Sequence, residues 1–335
     1  MDERPIFIGG PDRCGKTTIQ AFLTSHPSIA IPAVGSNMWT YFYGQYGDLG
    51  QANNLEACLD ALFQYKHALF LQPDRERIRA EFGHGETTYA RLFALFHRHY
   101  AERMGKSRWG DQTGLVERYA DPIFAAFPEA RMIHMIRDPR DRYAASLTMW
   151  PDGKGRAGGA AARWLYSVQL AQRNQKRYPD RYRVVRFETL VEQPEETLRE
   201  LCTFLDEPFT PLMLTMAGSP GHRAKLCGEM DDQSGPVPLS TRFIGSYRGV
   251  VPPEEVAFMQ MAARPQMEAF GYVPEPMNFA AAERLRFILF HTPLNLARLI
   301  AWRSWEALQH AFPGQVGRQP AQQKVVKKNH RTQTA

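Results

Sequence analysis

Cysteine is scarce in this chain. The four present, Cys14, Cys58, Cys202 and Cys227, lie far apart, with no CxxC pair and no neighbouring histidine pairs. That spacing argues against a disulfide framework and against a zinc site, and it makes a reducing compartment the default. No apolar run reaches the ~18 residues of a membrane span. The start, MDERPIFIGG, opens on charges and lacks the apolar stretch of a secretory signal, so a cytoplasmic location is expected. Internal repeats and low-complexity segments are also missing. The charge excess is small: 41 Lys and Arg against 35 Asp and Glu, a net of +6. Part of it sits in the last dozen residues, where Lys324, Lys327, Lys328 and Arg331 meet no acid. No basic patch is interleaved with aromatics, so a nucleic-acid partner is not expected.

What is present fits a globular protein of one large α/β domain or a domain plus appendages. The chain has 335 residues, 44% hydrophobic and 12% aromatic, enough for a full core. Residues 5–9 (PIFIG) read as a buried strand closed by a glycine turn, and residues 15–25 follow as a helix. The run 131–136 (RMIHMI) reads as a second strand with a helix over 139–150. Further along, 158–178 reads as a long helix, 182–187 as a third strand and 194–205 as a helix. This alternation predicts a parallel sheet flanked by helices, a three-layer sandwich of the phosphate-loop kind. Residues 217–241 read as a polar loop or lid. An amphipathic, arginine-dotted stretch begins near 281 and is broken by Pro293. The expected organisation is an α/β domain over 1–280, a helical extension over 281–317 and a disordered basic tail over 318–335. The extension packs on the domain or on a second copy of it. A peripheral membrane contact through 283–312 is the alternative, because Trp302, Trp305 and the arginines suit an interfacial helix.

The segment Gly10-Pro11-Asp12-Arg13-Cys14-Gly15-Lys16-Thr17 satisfies G-x-x-x-x-G-K-[ST] and lies between a strand and a helix, where that motif must lie. Gly15 lets the backbone approach an anion closely. The first helical amides point at it, and the helix dipole adds about half a positive charge. Arg13 and Lys16 add two full cations. A nucleoside-triphosphate enzyme needs a second apolar strand ending in Asp or Glu to hold Mg²⁺. Here that strand ends in Arg137, a poor magnesium ligand and a good anion ligand. No metal is expected.

PDRCGKTT resembles the 5′-phosphosulfate loop of the sulfotransferases, and ARMIHMIRDPRDRYAASL resembles their 3′-phosphate motif. RWGDQTG is similar to the GDKTP run of bacterial members. RYPDRYRVVRFETLVEQPEETLRELCTFLDEPF and TRFIGSYRGVVPPEEVAFM resemble two later blocks, so the likeness runs in order from residue 5 to about 272. It implies a donor, 3′-phosphoadenosine 5′-phosphosulfate, held by Arg13, Cys14, Gly15, Lys16, Thr17 and Thr18. Arg137, with Ser146 and Arg248 as helpers, takes the 3′-phosphate. Arg13 and Lys16 stabilise the leaving phosphate. The family's base is commonly a carboxylate or histidine, and Asp111 is the best-placed candidate, ahead of Asp48 and Glu86. Lys16 stands where the family has Thr or Ser, Ala145 where it has its serine, and Gln112 and Gly114 where it has lysine and proline. The acceptor is a hydroxyl or amine. The aromatic, glycine-rich stretch 36–50 leans toward a saccharide. An ATP-dependent kinase or phosphotransferase is the alternative, and a nucleotide-binding regulatory module a third reading.

Overall fold

The computed structural model describes residues 3–149, 156–228 and 235–311. Five strands form one parallel sheet: β1 (Ile6–Gly9), β2 (Ile29–Ala30), β3 (Arg108–Gln112), β4 (Arg131–Ile136) and β5 (Tyr182–Arg186), in the order β2-β3-β1-β4-β5. The helices that matter for the site are α1 (Lys16–Leu23), α2 (Tyr89–Arg103), α3 (Pro139–Met149), α4 (Ala157–Arg177), α5 (Pro194–Leu205), α6 (Pro220–Cys227) and α7 (Pro253–Ala269). The described residues end with α8 (Ala281–Arg286), a π turn (Phe287–His291) and α9 (Thr292–Ala311).

Side chains alternate across a strand, so β1 feeds two cores. Ile6 and Ile8 pack with Ile133, Met135 and Val185 under α1 and α5. Phe7 points the other way, against Trp109, Met132 and the aromatic face of α2. Burial of such a side chain contributes roughly 1.5–3 kcal/mol each, which is why both faces of the sheet are covered. With β1 central and its neighbours β3 and β4 reached by crossovers, the crevice outside the strand ends is the natural binding place of such a sheet.

Four expectations are corrected here. RWGDQ is itself a strand, β3, so RMIHMI is the fourth strand and not the second. Its buried charges hid it: Arg108 is bonded to the Leu205 carbonyl and to Glu207, and Gly110 leaves room where a Cβ would meet the Ile6 carbonyl at 2.6 Å. The polar stretch 217–241 is not all loop, since α6 starts on Pro220 and buries Arg223. Pro293 does not break the C-terminal helix. A π turn precedes it, so its ring and missing N–H fall where the regular i→i−4 ladder is already interrupted. Trp39 and Phe42 are core residues, 2% and 0% exposed, while Tyr41, Tyr43 and Tyr46 are half-buried beside them. The basic tail 318–335 lies outside the described residues.

Candidate active site

The loop after β1 is bent by three left-handed residues. Gly10 has φ +109°, and a Cβ there would meet the Met135 carbonyl at 2.1 Å, so the loop touches the backbone of β4. Arg13 has φ +61° and Gly15 φ +94°. Such alternation makes a concave run of amides ahead of the helix start, an anion-binding shape. Phe187 closes one side of it, since a Cβ on Gly15 would meet its ring at 2.5 Å. Lys16 spans the loop, with Nζ 2.8 Å from the Gly10 carbonyl and 2.6 Å from that of Pro11. Arg13 and Thr17 are exposed. Cys14 is 1% exposed and its thiol donates to the Pro11 carbonyl at 2.7 Å, so it offers the site only its backbone. Burial pushes that thiol's pKa up. Thr18 Oγ1 lies 3.4 Å from His222 Nε2 on α6.

Beneath the loop runs a buried relay that the sequence did not reveal. Glu117 Oε2 accepts the Gly10 amide at 2.9 Å, and Oε1 accepts the Ser167 hydroxyl at 2.5 Å. Ser167 in turn accepts from His134 Nε2 at 2.9 Å, and His134 Nδ1 accepts from the Tyr182 hydroxyl. Burial holds His134 below the ordinary histidine range, against the pull of Glu117, so the ring is neutral and its tautomer follows from these partners.

Arg137 gathers three segments. Its Nη1 lies 3.3 Å from the Arg13 carbonyl, its Nη2 donates to the Phe243 carbonyl at 2.6 Å, and its guanidinium sits 4.6 Å from the centre of the Phe187 ring. Burial lowers its pKa, Asp141 and Glu188 oppose that, and the nearby Arg13 adds like-charge repulsion. Two cations thus share the mouth of the loop. Its buried Nε has no hydrogen-bond partner among the described residues. Asp141 ties down the 243–247 turn by accepting the Gly245 and Tyr247 amides at 2.7 and 2.9 Å. That turn also carries Arg242, exposed and without an ion pair among the described residues, beside the Phe243 carbonyl that Arg137 holds. Arg248 instead contacts Glu275 (Nε to Oε1, 3.0 Å) and the Tyr247 ring.

Asp12 is a brace of the loop. It pairs with Arg142 and, at 3.2 Å, with Arg163. Burial would raise its pKa, but the two arginines outweigh that and hold it far below the usual carboxylate range. Ser146 lies 3.3 Å from Asp12 Oδ2 and 3.0 Å from the Arg142 carbonyl, so its hydroxyl belongs to this brace.

Asp111 is 1% exposed and fully engaged. Its oxygens accept the Ser36 amide (3.0 Å), the Ser36 hydroxyl (2.5 Å) and the Thr113 hydroxyl (3.0 Å), with His97 Nε2 at 3.5 Å. Burial works to raise its pKa, yet His97 and Ser36 hold it lowered. The geometry is that of an anchor for the 35–37 turn. Gly35 of that turn packs on the end of β3, where a Cβ would meet the Gln112 carbonyl at 1.9 Å. Half-buried His67 places Nδ1 2.9 Å from both the Gly35 carbonyl and the Asn37 Nδ2, and makes no hydrogen bond through Nε2 among the described residues. Asp48 and Glu86 are exposed on the surface. Among the described residues no group of three or more His, Cys, Asp or Glu side chains is arranged to hold a metal ion.

A family model described as the sulfotransferase family matches residues 5–211, from β1 through the block after β5. The chain belongs to the sulfotransferase family. This sulfotransferase resembles the sulfotransferase domain of the Synechococcus PCC 7002 olefin synthase at 20% identity and a TM-score of 0.53, over 82% of this chain and 98% of that one. At that identity the likeness is one of fold. The sulfotransferase domain of the curacin biosynthetic pathway is 16% identical, with a TM-score of 0.48, over 78% and 97% of the two chains. No curated protein sequence matches. The sulfotransferase model reaches both the glycine loop and Arg137, the two features that the sequence alone had singled out.

Proposed function

We propose that the sulfuryl donor is 3′-phosphoadenosine 5′-phosphosulfate and that the acceptor is a hydroxyl or amine. The observation that carries the reading is the meeting of Arg137 and Arg13 at the mouth of the loop. A 5′-phosphosulfate suits the loop amides, Arg13 and Lys16. A 3′-phosphate suits Arg137, with Arg242 of the adjoining turn as its partner in place of Arg248, which Glu275 engages. Cys14, Gly15, Thr17 and Thr18 contribute backbone and hydroxyl groups, while Ser146 acts through the Asp12 brace.

In the reaction, the acceptor oxygen or nitrogen forms its bond to sulfur as the bond from sulfur to the bridging phosphate oxygen breaks. Adenosine 3′,5′-bisphosphate leaves with that electron pair. Charge grows on the leaving phosphate, and preorganised cations and amides stabilise it without reorganising. The acceptor's proton goes to His67. In the tautomer this role needs, Nδ1–H donates to the Gly35 carbonyl rather than accepting from the Asn37 Nδ2 that lies equally near, and Nε2 keeps a free lone pair, while Asp111 holds the turn that orients the ring. A saccharide acceptor rests on Tyr41, Tyr43 and Tyr46, because Trp39 and Phe42 are in the core.

The test is titration with adenosine 3′,5′-bisphosphate and adenosine 5′-monophosphate, without Mg²⁺. The bisphosphate is expected to bind at least about tenfold tighter, a modest return for a charge-assisted contact. Arg137→Ala should erase most of that gap while leaving the monophosphate nearly unchanged. Equal affinities in the parent protein would overturn the donor assignment.

A further inference from the structure

The C-terminal helices turn more apolar side chains outward than an element that merely covers a core needs. Their inward face mixes apolar anchors, Phe287, Leu299 and Trp302, with specific polar contacts. Asn295, 2% exposed, accepts the Gly158 amide of α4 through Oδ1 at 3.1 Å, and Glu306, 3% exposed, pairs with Arg118. Arg303 donates to Gln169 at 2.9 Å, and the backbones of α4 and α9 touch, since a Cβ on Gly158 would meet the Asn295 carbonyl at 2.0 Å. These contacts fix the rotation of the helix. The outward face is apolar through the π turn and along α9. Ile288, Leu289, Phe290, Leu296, Ile300 and Trp305 are exposed by 47–67%. An apolar stripe of this length, held outward by specific polar contacts, is a docking surface.

The charges say what it meets. Arg284 and Arg286 are exposed beside the stripe and make no ion pair among the described residues. The segment's two acids are occupied elsewhere: Glu283 accepts the Ala280 amide at 2.9 Å and Glu306 faces inward. The sequence that follows, 312–335, carries Arg318, Lys324, Lys327, Lys328 and Arg331 and no acid. Two copies paired through this stripe would bring arginine rims and basic tails together. An anionic lipid surface complements both features, taking the apolar side chains below the headgroups and the cations among them. No helix among the described residues is long and apolar enough to cross a membrane, so the geometry is that of a helix lying in the interface. We propose that this sulfotransferase docks through the face of α8, the π turn and α9 on an anionic membrane surface. The proposal is independent of the donor assignment.

Full-length protein is floated with vesicles of phosphatidylcholine alone and of phosphatidylcholine containing phosphatidylglycerol. Binding to the anionic vesicles is expected to be at least about tenfold stronger and to weaken with salt. The double variant Ile288→Glu/Ile300→Glu, which alters only exposed positions, should lose that binding. Its melting temperature and its affinity for adenosine 3′,5′-bisphosphate should match the parent, which separates docking from folding and from the active site. Equal flotation of parent and double variant would overturn the proposal. So would a parent that ignores both vesicles and sediments as a dimer which the double variant dissolves, since the stripe then belongs to a second copy.

Discussion

The carboxylate of Glu117 grips the amide of Gly10 from 107 residues away, at 2.9 Å, with neither group reaching solvent. The contact fixes where the phosphate loop leaves β1. It also places a negative charge under a loop built for anions, so the two groups serve different ends: the acceptor holds the backbone, while the charge opposes the ligand. Glu117→Ala should leave the Gly10 N–H buried without a partner, at a cost of about 1–3 kcal/mol, and weaken nucleotide binding several-fold. Glu117→Gln keeps an acceptor for Gly10 and removes the charge, so nucleotide affinity should equal or exceed that of the parent. Melting curves and calorimetric titration of both variants check this. An alanine variant with parental stability and affinity would show that the grip is idle.

Arg13 and Lys16 are expected to differ in a way that their spacing alone does not suggest. Arg13 is exposed, whereas Lys16 braces the Gly10 and Pro11 carbonyls. Both alanine variants should lower turnover by at least about tenfold, through lost charge stabilisation at the leaving oxygen. Only Lys16→Ala should also lower the melting temperature. Turnover within twofold of the parent in both would exclude these residues from the chemistry.

Asp12 links the loop to α3 and α4, and its ionisation gives a pH signature. Burial alone would raise its pKa, but Arg142 and Arg163 depress it well below the ordinary 3.8. A carboxylate depressed in the folded state contributes stability that is present above its ordinary value and lost as pH falls toward the folded value. Asp12→Asn should therefore cost about 2 kcal/mol at neutral pH, from loss of a charged hydrogen bond to buried Arg142. The gap between variant and parent should shrink below pH 3.8. Thermal melts from neutral to strongly acid buffer measure it, and a gap that stays constant with pH would assign the cost to packing.

The sheet's central strands and the loop were legible because both have local causes: an apolar run, then glycines where the backbone must turn left-handed. β3 was not, because a buried arginine and aspartate are tolerable only with partners supplied from afar, Leu205 and Glu207 for Arg108 and Ser36 for Asp111. Glu117 was illegible for the same reason, since VERY is an ordinary surface-like run until Gly10, Ser167 and His134 close around it. Arg137 could be read from its place at a strand exit. Which arginine of TRFIGSYRG accompanies it depends on the fold of the 241–248 turn, where Glu275 claims Arg248 and leaves Arg242 exposed. The outward face of the last helices was visible only as amphipathicity. Its direction needed the Asn295 and Glu306 contacts.

His67 and Asp111 make opposite predictions under conservative substitution. A general base typically contributes 10²–10⁴-fold to rate, so His67→Gln should cut turnover by at least about 100-fold. Its donor affinity should stay near the parent's, because the proposed role of Nε2 is to take the acceptor's proton, while the loop and Arg137 are proposed to hold the phosphates. The acid limb of the turnover–pH profile reports loss of the base's lone pair, and in His67→Gln that limb should flatten. Asp111→Asn should behave differently. It leaves one carbonyl oxygen where two oxygens held Ser36 and Thr113, so it should lower the melting temperature while preserving the shape of the pH profile. A His67→Gln enzyme within about threefold of the parent, with its acid limb intact, would remove His67 from the reaction. An Asp111→Asn enzyme with parental stability and no acid limb would hand the role of base to the buried carboxylate.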